Sequence, residues 1–480
     1  MSPYFVGAII LGYFLLLIAI SWVTSRNSQS NDFYTANRNS KWYLVAFGMI
    51  GASLSGVTFI SVPGEVANSN FHYFQVVLGY LVGYFVIARV LLPIYYKLNL
   101  VSIYTYLEQR FGFWSYKSGA FFFLLSRIIG ASFRLFLVAG VLQIAFFDAF
   151  NLPFWVSVLT TILLIWLYTF RGGIKTIVWT DALQTAFMLV AVVVSILFIK
   201  DELSWTWVEL SNNVFEDSRS TIFNWEWESG RNFFKQFFAG AFIAIVMTGL
   251  DQDMMQKNLT CKNIGEAQKN IFWFCVVLVV VNFLFLSLGV LLYQYAEISS
   301  IALPKRSDSL FPMLAVNNFS IIGTATFLLG ITAAAYSSAD SALTALTTSF
   351  CVDFLGFKQE NYAEKKRLRM SVHMGFSIVL FFVILIFKAI NDDSVINSVF
   401  TAAGYTYGPL LGMFAFGIAT KWKLKDKLVP IVCLASPVLS YIINLNSEAL
   451  MNGYKFGFEI LILNGLITFI GLVLIRESKS

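Results

Sequence analysis

Apolar runs of about twenty residues recur from one end of this chain to the other, each long enough to cross a hydrocarbon layer about 30 Å thick. In lipid every backbone polar group needs an internal partner, which helices provide within one segment. The 480 residues are 58% hydrophobic and 12% charged, which matches no soluble globular class. The chain therefore reads as an all-α polytopic membrane protein, a single transmembrane domain over residues 1–480. Its aromatic content of 17% suits lipid-facing helices and interfacial belts.

Thirteen spans are predicted: 4–24, 42–67, 73–96, 118–147, 152–170, 174–199, 233–252, 270–296, 320–352, 366–389, 394–419, 428–444 and 456–475. Loop charge orients them. With the N-terminus outside, the inside loops hold 22 of the 33 basic residues, Arg26, Arg38, Arg171, Lys257, Lys358 and Lys479 among them. The outside loops hold seven, and Arg89, Arg127, Arg134 and Lys235 fall within spans. The positive-inside rule then puts the C-terminus in the cytoplasm of a multi-pass plasma-membrane (inner-membrane) protein. The first run lacks a basic leader and is expected to stay as a span. The connection 200–232 is acidic and carries Trp205, Trp207, Trp225 and Trp227, so it reads as a helical lid or an interfacial anchor.

The polar residues inside the spans are the informative ones. AAAYSSADSALTALTTSF (333–350) carries Ser337, Ser338, Asp340 and Ser341 within an apolar stretch. Neighbours three and four apart share a helix face, so hard oxygen ligands converge there. A carboxylate at membrane depth costs about 2.5–3.5 kcal/mol on insertion scales and calls for a partner or a job. Hard oxygens suit a hard cation, so the stretch reads as an alkali-ion site. GASLSGVTFISVPGE (51–65) interleaves Gly, Ser and Thr ahead of Pro63. A break near Ser53–Ser55 would free carbonyls for a cation, or the small residues would serve close packing. Residues 233–252, five spans later, carry Gly240 and Gly249 and end at Asp251-Gln252-Asp253. Interrupted spans at matched positions predict a five-plus-five inverted repeat, about 42–199 and 233–419. A leader helix (4–24) precedes the repeats and two trailing helices (428–475) follow them.

In RGGIKTIVWTDALQ (171–184), Gly172-Gly173 makes the turn and Asp181 enters the span. Two readings stand for Asp181: a salt bridge to a cytoplasmic Arg or Lys, or a second cation site or relay facing Ser341. Arg127 and Arg134 are seven apart on one helix face. Either pairs with Asp181 or Asp340, or one holds a substrate carboxylate bidentately. His72 and His373 sit near span ends and read as interfacial, and the four cysteines show no metal or disulfide spacing. No P-loop, zinc-protease motif or nucleophile elbow is present. Energy is therefore expected from an ion gradient, not from ATP, and no enzyme activity is expected. A proton-coupled symporter and a passive channel or sensor remain the rival readings.

Taken together, GASLSGVTFISVPGE, GGIKTIVWTDALQ, LDQDMMQKNLTCKN (250–263) and AAAYSSADSAL make the chain resemble the sodium/solute symporter family over essentially its whole length. The resemblance implies a 5+5 inverted-repeat (LeuT-like) core, alternating access and sodium as the coupling ion. It implies a main sodium site built from the carbonyls of Gly51, Leu54 and Ala334 and the hydroxyls of Ser337 and Ser338. A second cation site, present in some members, would use Asp181, Ser341 and position 340. Asp340 departs from the Ser or Thr common there. Substrate candidates by the same resemblance are Ser53, Ser55, Thr58, Phe59, Gln75 and Arg134. The substrate is expected to be a small polar or anionic solute (an organic anion, sugar acid, sugar or amino acid). A monomer in the lipid bilayer is expected to suffice, with no nucleic-acid partner.

Overall fold

The computed structural model describes residues 3–25, 40–100, 102–169, 174–357, 365–390 and 394–477. The Gly172-Gly173 turn and the basic positions Arg26, Arg38, Arg171, Lys358 and Lys479 lie outside the described residues. Among the described residues there are helices and two isolated bridges, and no strand.

The principal helices are α1 (Pro3–Ser25), α2 (Trp42–Ser69), α3 (Tyr73–Val86), α4 (Phe113–Ala145), α5 (Phe154–Thr169) and α6 (Ile174–Glu202). Next come α7 (Trp207–Glu216), α8 (Phe233–Ala244), α9 (Gln252–Asn258), α10 (Ile264–Ile298), α11 (Leu310–Asn317) and α12 (Ile321–Ser349). The chain ends with α13 (Lys366–Ile390), α14 (Val395–Thr406), α15 (Gly408–Ala419), α16 (Val429–Leu445) and α17 (Ile460–Leu474). Seven helical stretches among the described residues are long and apolar enough to cross a membrane, or eight when the α8–α9 pair counts as one. Shorter apolar helices lie at Tyr4–Ile20, Phe154–Trp166, Gly408–Ala419 and Ile460–Leu474. The stretch expected as one span over 394–419 is two helices, divided at Tyr407 just ahead of Pro409.

Two irregular helices sit at the centre. α2 runs through Pro63, but its backbone leaves the helical region at Ser55 (φ 25°, ψ 172°). A non-glycine residue held there costs of order 1–3 kcal/mol, and such strain gathers at functional positions. α8 widens into a π turn at Ile245–Gly249 and then bends by 70° into α9. The bend is capped by Asp251, whose carboxylate accepts from Asp253 N (3.0 Å) and Met254 N (3.3 Å). α8 crosses α3 at near-touching backbones. A Cβ on Gly240 would lie 2.0 Å from Val76 O, and one on Gly79 the same distance from Phe237 O. Both positions therefore require glycine. α2 packs on α6, α10 and α12, and α12 packs on α6, so α2, α6 and α12 enclose the polar residues singled out above.

Candidate ion and substrate site

Ser337 and Ser338 are adjacent on α12, so they point about 100° apart around the helix. The structure uses that difference. Ser338 turns toward α2 and donates to Ala52 O at 3.4 Å, within a turn of the Ser55 break. Ser337 turns toward α6 and donates to Asp181 Oδ1 at 2.7 Å. Gly51, Leu54 and Ala334 are buried beside this seam. Gly51 is the point of closest approach to α6: a Cβ there would lie 2.2 Å from Thr185 Oγ1. That hydroxyl donates to Phe47 O (2.9 Å) and Asp181 O (2.8 Å), tying α6 to α2.

Asp181 is fully buried, and its second oxygen accepts from Lys257 Nζ at 2.8 Å. The same ammonium donates to Ser341 Oγ at 2.8 Å. Lys257 is 1% exposed, so its expected place in a cytoplasmic loop is corrected here. The bend between α8 and α9 folds this stretch back into the protein, where a loop would have left the charge in water. Asp181 thus takes the salt-bridge partner that the sequence left open. Asp340 is buried at the same level, and its Oδ1 accepts from Ser341 N at 2.5 Å.

The two arginines of α4 differ. Arg127 reaches Asp251 Oδ2 at 3.5 Å and bonds Asp253 Oδ2, so it is anchored to the α8–α9 bend and not to Asp181 or Asp340. Tyr407 Oη also donates to Asp251 Oδ2, at 3.0 Å. Arg134 makes no ion pair or hydrogen bond among the described residues, and its buried Nε lacks a partner. It lines a cavity of about 80 Å³ between α2, α3, α4, α8, α10 and α14, together with Ser53, Ser55 and Thr58 of α2. Arg127, Tyr73, Tyr84, Met247, Asn282 and Phe400 are also among its walls.

Two expected substrate contacts lie elsewhere. Phe59 is fully buried in an aromatic cluster, stacked on Phe311 with ring centroids 5.4 Å apart. Gln75 is a strut: its amide donates to His72 O (3.2 Å) and Arg231 O (3.1 Å) and accepts from Asn224 N (3.2 Å). In both cases the side chain faces the neighbouring helix or loop and not the cavity.

Tyr73 stacks on Phe400 at one end of the cavity, with centroids 6.1 Å apart. Beyond them Glu65 accepts from Arg231 Nη2 (3.3 Å) and Asn397 Nδ2 (3.2 Å), linking α2, the connection before α8, and α14. The 203–232 connection covers this end and holds α7, which starts in a capping box between Thr206 and Glu209. Its far end is pinned where Asp217 bonds Arg219, which in turn reaches Glu297 at 2.7 Å. The Arg219 guanidinium holds the Asp217 carboxyl below the usual carboxylate range.

Sequence reasoning had no role for Lys257, Ala52, Glu65 or Arg231. A signal existed for Lys257. Asp253 and Lys257 are four apart, the spacing of a helical ion pair, inside a segment with no Gly or Pro. His72 Nδ1 lies 3.2 Å from Ile222 O and His373 Nδ1 lies 3.0 Å from Thr347 Oγ1. Among the described residues no group of histidines, cysteines and acids could hold a metal centre.

The model of the sodium:solute symporter family matches residues 33–424. Over 410 residues, 82% of this chain, the sequence is 25% identical to the sodium/sialic acid symporter NanT of Aliivibrio fischeri, covering 78% of that protein. It is 24% identical over 443 residues to the human sodium/iodide cotransporter, covering 86% of this chain and 66% of that one. The mouse sodium-coupled monocarboxylate transporter 1 is 25% identical over 400 residues, covering 81% and 64% respectively. A solved Na+-coupled sialic acid symporter, substrate-bound and outward-open, superposes with a TM-score of 0.81 at 19% identity, over 99% of both chains. The nucleobase-cation symporter Mhp1 follows at a TM-score of 0.52 and 15% identity, covering 92% of this chain and 94% of that one.

Proposed function

Because the chain belongs to the sodium:solute symporter family, we propose that it carries a small organic anion inward with sodium, the anion's carboxylate held by Arg134. Sodium-coupled solute uptake by alternating access is the activity of the family, and the chain is a multi-pass membrane transporter and not an enzyme. One observation carries the substrate class: a guanidinium without an ion-pair partner among the described residues, lining the cavity beside the broken helix. A cation within a membrane span that lacks a protein partner calls for an anion. Arginine offers a planar fork that meets a carboxylate bidentately. The relatives named above carry sialic acid, monocarboxylates and iodide, all anions.

Sodium itself binds in the seam between α2 and α12, using the carbonyls of Gly51, Leu54 and Ala334 and the hydroxyls of Ser337 and Ser338. The contact of Ser338 with Ala52 O supports this reading and adds that carbonyl to the set. The mechanism follows from the shared backbone. The strained Ser55 lies one turn from the seam, and its neighbour Ser53, like Ser55 itself, lines the cavity. An ion drawn to these oxygens stiffens the break and so presents the serines and Thr58 to the substrate. Substrate and sodium then favour each other's binding by the same factor. Closure of Tyr73 and Phe400 above them, backed by the Glu65–Arg231 pair, would occlude both.

The Ser55 break and the α8–α9 bend, five spans apart, support the 5+5 repeat, with α1 as leader and α16 and α17 trailing. The basic bias of alternate loops supports thirteen crossings with the N-terminus outside. On that orientation the 203–232 connection lies on the outer face, and one chain in the bilayer carries the whole pathway.

The test is a thermal-shift screen of the full chain with sialic acid, lactate, galactose and proline, in sodium or choline chloride. The acids should stabilise only in sodium, and Arg134→Gln should abolish that gain. A ligand at a hundred times its Kd adds about 2.7 kcal/mol. Equal stabilisation of wild type and Arg134→Gln by a neutral sugar would overturn the anion reading.

A further inference from the structure

We infer that the second cation position of this protein is held by its own Lys257 ammonium, so that a single sodium ion binds per chain. The inference rests on the sodium-coupled reading above and fixes its stoichiometry.

The geometry is that of a filled site. Asp181, Ser337 and Ser341 converge from α6 and α12, the oxygens an alkali ion would need. Lys257 Nζ lies 2.8 Å from both Asp181 Oδ2 and Ser341 Oγ. Its third neighbour is Asp253 Oδ1 at 3.9 Å. A free ion bound to the same carboxylate and hydroxyl would occupy the volume of that nitrogen. Both groups of the pair are almost completely buried, Asp181 at 0% and Lys257 at 1% exposure. Water is therefore not at hand to take over the ammonium's hydrogen bonds if it left. A tethered cation also competes at an effective concentration that a free ion must match.

The backbone supplies the reason that Lys257 arrives here. α9 begins after the 70° bend and is anchored by Asp251 and Arg127, so its last turn is delivered against α6. Lys257 supplies at Asp181 and Ser341 the positive charge that a second ion would otherwise bring to those two groups. One sodium with one monovalent anion makes turnover electroneutral, so the membrane potential would not drive accumulation.

The experiment counts sodium directly. Radiolabelled sodium is bound to the purified full-length protein, with choline chloride holding ionic strength constant. The wild type should saturate at one ion per chain. Lys257→Gln should double this to two, because Asp181 and Ser341 become available to a free ion. The double variant Asp181→Asn/Lys257→Gln, which removes both charges together, should return to one. Two ions per wild-type chain overturn the inference while leaving sodium coupling intact. One ion per chain in folded Lys257→Gln overturns it as well. If Lys257→Gln does not fold, the wild-type count decides. No sodium bound to the wild type would sink the symport reading and this inference with it.

Discussion

Two faces of α12 carry similar hydroxyls and meet opposite surroundings. The Ser338 face looks onto α2, where it meets backbone oxygen near a strained residue and no Lys or Arg side chain among its described partners. The Ser337–Ser341 face looks onto α6 and α9, where a carboxylate and an ammonium are locked together. The first face presents neutral oxygens that can gain and lose a cation with little change in fold. The second holds a charge whose loss would expose an unpaired ion to a dry interior. Reversible binding centres on the first face, and permanent neutralisation on the Asp181–Lys257–Ser341 contacts of the second.

The sharpest way to break this contrast is to remove one charge from the second face. Asp181→Asn leaves Lys257 buried without its nearest carboxylate, and breaking a buried pair in this way costs about 3–5 kcal/mol. A large drop in the melting temperature of the purified protein is expected. Asp181→Asn/Lys257→Gln should recover most of it, because neither charge then remains. If Asp181→Asn melts with the wild type, the pair is not the structural lock described here.

The same contrast of paired and unpaired cation recurs on α4. Both line the cavity, but Arg127 is tied to Asp251 and Asp253, whereas Arg134 has no ion-pair partner among the described residues. Arg134→Gln should cost substrate affinity by about 1.5–3 kcal/mol, the worth of a hydrogen bond to a charged group. It should leave the melting temperature without substrate near wild type. Arg127→Gln should do the reverse, lowering the melting temperature because two acids lose their counter-charge. Substrate titrations and melts of both variants check the assignment.

How much of this could be read from residues alone differs by kind. The longer spans follow from apolar length, which depends on local composition. The break in α2 was legible near Ser53–Ser55, where Gly and Ser weaken a helix, but not that Ser55 alone leaves the helical region while the backbone stays helical at Pro63. Which residue takes the strain depends on what the neighbouring helices press against it. Gln75 and Arg134 looked equally suited to substrate. Rotation about the helix axis and the fold of a distant connection decided that one is a strut and the other lines the cavity. Lys257 was hidden for a similar reason: a charged stretch after a span resembles a loop until the 70° bend turns it inward.

Within α12, the two serines separate the faces at finer scale. Ser338→Ala should weaken sodium binding about ten-fold, close to 1.4 kcal/mol, because it removes one oxygen from the reversible face. Ser337→Ala should do less, since Asp181 keeps its bond from Lys257. Sodium titrations followed by thermal shift distinguish them. Equal losses in both would mean that Ser337 serves the sodium as fully as Ser338 and that its bond to Asp181 is not a fixed one.

The smallest expected effect lies at the pinned end of the 203–232 connection, a third kind of charge pairing at the water's edge. The hydrogen bonds from Arg219 depress the Asp217 carboxyl, so the stability it contributes is present above the ordinary carboxylate pKa. That contribution is lost as the pH falls through the depressed value. Partly exposed pairs of this kind are worth less than about 1 kcal/mol. Asp217→Asn should therefore lower the melting temperature slightly at pH 7, and the gap from wild type should close as acid protonates Asp217. A gap as large as that of Asp181→Asn would mean that water does not screen this end, and the division between buried lock and solvated latch would fall.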